Sequence, residues 1–285
     1  MSLQQPGRPM SPDSLVGKLR KVFEVGQAKT PIALTQEIKA LTEQVAELRH
    51  QVAKLQAATR FEPPYTSADF TERFRGSRAD VVTSMRSIVP VFAGVRGPIL
   101  DLGCGNGELL EALRDANLSA YGLETDQVSV DACVAAGFDV RSADGVSHLA
   151  ACKPNSLGGV AVIQVIEHLS LQQRVDTVSH AFAALEPGGV LAIETVNPLT
   201  LYTFANALYL DPTHTQPIHP LYLRFVLEHA GFTEVTHVVR SQAPADEQLP
   251  ASLFGPSADP AEILRLNHLL FGYQDYLVTG RKPRP

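Results

Sequence analysis

Residues Ile99-Leu100-Asp101-Leu102-Gly103-Cys104-Gly105-Asn106-Gly107-Glu108 constrain the fold more than any other stretch of the chain. A short apolar run opens it, glycines follow at 103, 105 and 107, and Leu109, Leu110 and Leu113 begin a helical pattern at once. The pattern predicts a strand, a tight turn and a helix. Glycine takes positive φ without steric cost and lets a ligand lie against the backbone, and the helix behind it opens with unpaired N–H groups. Such a turn suits a nucleotide-like cofactor. Its spacing is Gly-x-Gly-x-Gly, and the third glycine of the dinucleotide fingerprint falls instead on Glu108. On the turn alone, a nicotinamide dehydrogenase remains an alternative.

Around the turn, short apolar runs alternate with helical patterns. Pro98 to Leu102, Ala120 to Leu123, the residues about Val140, Gly159 to Ile163 and Val190 to Thr195 suit buried parallel strands. Val81, Met85, Ile88 and Phe92 form one stripe on a helix capped by Ser77 with Asp80, and Ser170 with Gln173 makes a capping box for a helix reaching Leu185. Further strands are expected at Glu234 to Val239 and Tyr276 to Thr279, and helices at Leu221 to Ala230, closed by Gly231, and at Ala261 to Leu270. The alternation predicts an α/β fold with an open, doubly wound sheet. Asn197 to Pro220 is dense in Pro, His, Tyr and Thr and too long for an ordinary connection, so residues 197–220 are expected to form a substrate lid.

The N-terminal part reads differently. Residues 1–31 are rich in Pro, Gly and polar side chains and are expected to be flexible. Within 32–58, Leu34, Ile38, Leu41, Val45, Leu48, Val52 and Leu55 step by four and three, with β-branched residues at heptad position a and Leu at d. That is the seam of a parallel homodimer through Leu34 to Leu55, or the apolar stripe of a helix lying on its own domain. Phe61-Glu62-Pro63-Pro64 ends the helix, and the main domain is expected over 59–285. Lys and Arg number 24 against 30 acids with no basic run, which argues against nucleic acid as a partner. Cys104, Cys133 and Cys152 are odd in number, widely spaced and set among apolar residues, as reduced packing residues are. No segment reads as a signal peptide or an integral membrane span, so a cytoplasmic place is expected.

Two acids narrow the cofactor. Glu124 ends the second apolar run, where a carboxylate in such a sheet accepts both hydroxyls of a ribose. Asp144 ends the third and can accept an adenine amine, or cap the next helix, as Asp126 also can. With these acids, Ile99 to Glu108, Asp144-Gly145, Gln164-Val165-Ile166-Glu167-His168-Leu169 and Leu185-Glu186-Pro187-Gly188-Gly189 resemble, in order, the motifs of class I S-adenosylmethionine-dependent methyltransferases. The resemblance runs from Phe70 to about Lys282. Arg73-Phe74-Arg75-Gly76, Glu194-Thr195-Val196-Asn197-Pro198, and Asp211-Pro212-Thr213-His214 with His219-Pro220 are similar to bacterial methyltransferases of surface-polysaccharide gene clusters, the O-antigen enzymes among them. Those enzymes often carry a helical or coiled-coil extension.

The resemblance implies a Rossmann-like seven-stranded sheet with an N-terminal helical extension, and S-adenosyl-L-methionine as cofactor. It puts Gly103, Gly105 and Gly107 under the methionine part, Asp101 among the cofactor-binding residues, Glu124 on the ribose and Asp144 on the adenine edge. Gln164 would lie near the sulfonium, and Arg75 would pair with the cofactor carboxylate. The implied reaction is O-methylation of a sugar or glycan-linked acceptor, with a small phenolic or natural-product acceptor as an alternative, and a non-catalytic S-adenosylmethionine-binding module as a third reading. A sugar hydroxyl needs a base as the new bond forms, and His168 and His214 are the candidates, with Glu167, Asn197, Asp211 and His219 on the acceptor side. Ubiquinone-biosynthesis O-methyltransferases carry Glu-x-x-Glu-His in this segment, associated with magnesium. Here Gln164 replaces the first acid, so no metal is expected, and Asp211 and His214 add ligands only if the lid folds over the strand ends.

Overall fold

The computed structural model describes residues 35–45, 47, 51, 73–74, 76–255 and 257–285. The chain divides into two units, Met1–Pro64 and Tyr65–Pro285. In the first, residues 35–45 are helical, and Ile38, Leu41 and Val45 of the heptad pattern are exposed. Leu34, Leu48, Val52 and Leu55 lie outside the described residues, as does Arg75. Among the described residues no helix is long and apolar enough to cross a membrane.

The second unit is built on a seven-stranded sheet. Its strands are β1 (Ile99–Leu102), β2 (Ala120–Glu124), β3 (Val140–Ser142), β4 (Leu157–Ile163), β5 (Leu185–Val196), β6 (Thr233–Gln242) and β7 (Tyr273–Arg281). They lie in the order β3-β2-β1-β4-β5-β7-β6. The first five are parallel, and β7 runs antiparallel between β5 and β6. The main helices are α1 (Arg78–Arg86), α2 (Glu108–Asp115), α3 (Gln127–Ala135), α4 (Gly145–Ala151), α5 (Leu171–Ala184), α6 (Pro220–Ala230) and α7 (Pro260–Leu270).

Every residue of β1 is buried, because helices cover both faces of the sheet. Leu100, Leu102, Val160, Val162, Leu191 and Ile193 meet Val178 and Ala181 of α5 and Leu223 and Leu227 of α6 on one face. On the other, Ile99, Ala161, Val190 and Ala192 meet Met85, Leu109 and Leu113 of α1 and α2, together with Ile88 and Phe92. The two-residue period of a strand divides these side chains between the faces. Local caps set the helix starts: Ser77 accepts from Asp80 N, and Ser170 and Gln173 complete a capping box. One boundary differs from the sequence pattern. The stripe from Val81 to Phe92 is not one helix, since α1 stops at Arg86 and Val89–Phe92 forms a 3-10 turn. Pro90 has no N–H to continue an α-helix, yet Ile88 and Phe92 remain fully buried, so the apolar period survives the break.

The sheet also carries a buried charge pair. Glu194 on β5 pairs with Arg240 on β6, and Arg240 also donates to Ser84 O (3.1 Å) and Ser84 Oγ (3.2 Å) on α1. Burial pushes the Glu194 carboxyl up from 4.5 to about 7, against the downward pull of Arg240. The native state therefore holds a proton that the unfolded chain has released, so this group's contribution to stability is complete below about pH 4.5 and is lost as pH rises through 7. Arg240→Met leaves the carboxyl unpaired and is expected to cost about 3–5 kcal/mol at pH 8, where Glu194 must ionise, and distinctly less at pH 5. Urea unfolding at the two pH values checks this; an equal loss at both would show that the pair is not the cause.

Candidate active site

The strand order reverses between β1 and β4, and the chain leaves these neighbours toward opposite faces. Their carboxyl ends therefore open a crevice. The glycine turn forms one wall. Gly103, Gly105 and Gly107 have φ of +73°, +52° and +79°, and Gly107 stands at the N-cap of α2 with no side-chain cap on the helix amides. Gly103 N and Cys104 N donate to Leu123 O at 2.8 and 3.0 Å, which fastens the turn to β2. A Cβ on Gly103 would come within 2.5 Å of Val165, so the turn also presses on the segment after β4.

Glu124 closes β2 against this turn. Its Oε2 accepts from Gly105 N at 3.0 Å, and its Oε1 from Thr125 N at 2.6 Å and Asp126 N at 3.0 Å. Three amides thus orient a carboxylate that has about four acceptor positions. Asp144 caps α4 by accepting from Ser147 N at 2.8 Å, and Asp126 caps α3 in the same way. Asp101 is buried within β1. Asp101, the glycines, Glu124 and Asp144 consequently follow one another along the carboxyl edge of β1, β2 and β3. The three cysteines are free thiols, and burial pushes each above its ordinary value.

The opposite wall begins where β4 ends. Gln164 takes a left-handed φ of 54°, and its side chain donates to Asp275 Oδ1 at 2.9 Å. Asp275 stands on β7 opposite Val196 of β5, and burial pushes its carboxyl up. The turn Ile166–His168 follows. Glu167 is 1% exposed, and neither of its carboxylate oxygens accepts a hydrogen bond. Burial pushes that carboxyl up to about 8.

The segment expected to act as a lid bonds to this turn. His168 Nδ1 is 2.8 Å from Thr213 Oγ, and the Thr213 hydroxyl donates to Asp211 Oδ1 at 2.6 Å. With its own proton committed to Asp211, the Thr213 oxygen accepts from His168 Nδ1–H. His214 Nδ1 is 2.8 Å from Leu208 O, a carbonyl that can only accept, so this nitrogen also carries its proton. Each neutral ring is left with its lone pair on Nε2. The rings stand 4.7 Å apart, and burial first, then His214, holds His168 below its ordinary value. Ligand atoms of Glu167, His168 and His214 all lie within 4.8 Å of one another.

Arg174 of α5 clamps the lid in place. Its buried guanidinium donates to Ile166 O at 3.0 Å, Glu167 O at 3.3 Å, Thr215 Oγ at 2.5 Å and Gln216 O at 3.4 Å. Thr215 N returns a bond to Glu167 O at 2.9 Å. Two predicted residues sit at the ends of the lid, away from the imidazoles in their bonding. Asn197 bonds Tyr273 O and Leu199 N, and His219 caps α6 by accepting from Leu221 N. Between them the chain is less irregular than its composition suggests, with helical turns at Leu201–Thr203 and Phe204–Leu208.

A family model described as a methyltransferase domain matches residues 49–238. This chain belongs to that family. The methyltransferase is 30% identical to a crystallised S-adenosylmethionine-dependent methyltransferase from Archaeoglobus fulgidus, with a TM-score of 0.68 over 75% of this chain and 98% of that one. It is 34% identical over 137 residues to a probable S-adenosylmethionine-dependent methyltransferase of Mycolicibacterium smegmatis, covering 47% of this chain and 51% of that protein. With a ubiquinone biosynthesis O-methyltransferase of Xanthomonas campestris it shares 31% over 107 residues, 35% of this chain and 43% of that protein. The chain spans about half the length of the curated relatives it matches. The cofactor of this methyltransferase is S-adenosylmethionine, and a nicotinamide reading of its glycine turn is set aside. The turn accommodates such a cofactor, with uncapped helix amides at α2 and an oriented carboxylate at the end of β2.

Sequence reasoning about this methyltransferase passed over Arg174, Thr213, Thr215 and Asp275. Arg174 carries the one readable signal, a charge next to Val175 on a helix whose apolar face is buried, which demands partners. Arg174→Met removes the donor to four oxygens and is expected to lower stability by about 2–4 kcal/mol and to speed proteolysis between Phe204 and Gln216. Thermal unfolding and timed digestion measure the two effects; a variant unchanged in both would remove Arg174 from its role as clamp.

Proposed function

We propose that this methyltransferase moves a methyl group from S-adenosylmethionine to a hydroxyl of a sugar or glycan-linked acceptor. The reading is carried by the imidazole pair His168 and His214, whose Nδ1 protons are committed to Thr213 and Leu208, which leaves a lone pair on Nε2 of each ring, in a cluster with the buried Glu167. A hydroxyl is a poor nucleophile until its proton is withdrawn, and these two nitrogens are the groups that activate it. The likeness to an enzyme named as an O-methyltransferase supports oxygen as the acceptor atom. The lid motifs from Asp211 to Pro220 support a sugar.

Gly103, Gly105, Gly107 and Asp101 seat the methionine part of the cofactor, Glu124 takes the ribose hydroxyls, Asp144 the adenine edge, and Arg75 the carboxylate. When bound, the cofactor supplies a methyl group already activated by its positive sulfur. Little covalent help is then asked of the chain. Its task is to hold the acceptor oxygen in line under the lid and exclude water, a positioning effect worth up to ~7–11 kcal/mol. Gln164 stands on the methyl-transfer side, Glu167 and Asp211 set the imidazoles, and Asn197 and His219 shape the ends of the lid. The exposed Ile38, Leu41 and Val45 support pairing of the N-terminal helix with a second copy of the chain. A phenolic acceptor is the second reading, favoured by the ubiquinone biosynthesis relative.

Glu124→Ala is expected to weaken S-adenosylmethionine binding by roughly ten- to a hundredfold in calorimetric titration, since the ribose loses its acceptor. Unchanged affinity would refute the assignment. His168→Ala should keep that affinity and lower turnover by about 10²–10⁴. The assay follows S-adenosylhomocysteine release with nucleotide sugars, lipid-linked glycans and phenols as acceptors. Product from phenols alone moves the assignment to the second reading; binding without turnover on any class overturns the proposal.

A further inference from the structure

We propose that Asp275 sets the preference of this site for S-adenosylmethionine over its demethylated product, by holding the side-chain amide of Gln164 with its nitrogen toward β7 and its oxygen toward the crevice between β1 and β4. The inference deepens the reading above and rests on it in one respect, that Gln164 stands on the methyl-transfer side. Gln164 directly follows β4, at the switch in strand order. The next residue, Val165, packs against Gly103, so Gln164 borders the glycine turn. Its backbone is left-handed, with a φ of 54°, and its N–H donates to Glu194 O at 2.9 Å. A residue with a side chain keeps such a conformation only where its surroundings fix it, and such residues are concentrated at functional sites.

The side chain is fixed from the far side of β5. Asp275 stands on β7, opposite Val196 of β5 and Arg240 of β6, and its Oδ1 accepts from Gln164 Nε2 at 2.9 Å. A carboxylate only accepts, so nitrogen is the amide atom that meets it; against the upward push of burial, the Arg240 guanidinium favours the charged form. An amide's nitrogen and oxygen point apart. With Nε2 drawn toward β7, Oε1 is turned back toward β1, because β4 lies between β1 and β5. A free amide would turn over at little cost and present N–H, whose partial positive charge repels a positive sulfur where the oxygen attracts it. The attraction ends when the methyl group leaves and the sulfur becomes neutral. The pair therefore acts on the choice between charged cofactor and neutral product, not on the barrier to transfer. Arg240 keeps Glu194 as its partner, so removal of the Asp275 carboxylate strands no buried cation.

The test uses the whole 285-residue chain in the absence of acceptor. Calorimetric titration with S-adenosylmethionine and, separately, with S-adenosylhomocysteine gives the ratio of the two affinities. Asp275→Ala and Gln164→Met, the latter keeping length without an amide, should each shift that ratio toward S-adenosylhomocysteine by about three- to tenfold. In the double variant the shift should be no larger than in Gln164→Met alone, because Asp275 acts only through the amide. A merely structural role lowers both affinities together and leaves their ratio where it was. S-adenosylhomocysteine affinity shows that each variant is folded, and Asp275→Leu, closer in size, replaces Asp275→Ala if that variant has lost it. A ratio that Gln164→Met shifts and the Asp275 variant does not, or shifts that add in the double variant, overturns the proposal. A ratio unchanged in Gln164→Met removes Gln164 from the sulfur side and overturns the reading beneath the proposal as well.

Discussion

Parallel neighbours in a sheet can be joined only by a crossover, and the crossovers after β1 and β4 leave toward opposite faces. At that divergence neither of these two crossovers covers the strand ends. The candidate site is built around that opening. The glycine turn, Glu124 and Asp144 occupy its β1 to β3 side, whereas Gln164, Glu167 and His168 occupy its β4 side. The antiparallel β7 then brings Asp275 level with the end of β5, from where it bonds Gln164. The two sides of the opening are thus separated by strand identity before any side chain is chosen.

The two halves are held by different physics. On the β1 to β3 side, polar groups answer to backbone amides: Glu124 accepts three, while Asp126 and Asp144 each cap a helix. Those bonds are local, spanning a few residues or one neighbouring strand, and they preorganise a surface that meets a polar ligand. On the β4 side, charged groups are buried. Glu167 and Asp275 are both pushed up by burial, and Arg174 spends its guanidinium on lid and turn oxygens. Burying such groups is costly unless partners converge on them. For Arg174 and His168 the segment after β5 supplies partners from more than 40 residues along the chain, as the pairs His168–Thr213 and Arg174–Thr215 show. The same network that shields the site also fixes the tautomers of its two imidazoles.

Much of this was legible in the residues themselves. The seven strands, the helices between them, the Ser170–Gln173 capping box and the left-handed glycines all follow from periodicity, turn chemistry and the steric freedom of residues without Cβ. The break at Pro90 was misjudged because burial of Ile88 and Phe92 preserves the apolar period while the hydrogen-bond ladder stops. The dual capacity of Asp144 was legible too, and its capping bond is the part that local geometry decides.

The β4 side of the candidate site was readable only in part. Glu167 and His168 stand out as an acid–imidazole pair after a strand, and His214 as a histidine in an over-long connection. Their meeting depends on Arg174 and Thr215, whose partners are distant in sequence and invisible to any local pattern. The sequence by itself determined the sheet, the cofactor turn and the residue types available for chemistry, because those rest on short-range sterics and apolar periodicity. Only the tertiary structure decided that the segment from Leu208 to Gln216 bonds to the turn after β4, bringing His214 to His168 and the buried Glu167. That placement comes from satisfying buried charge across the fold, a condition no single segment can express.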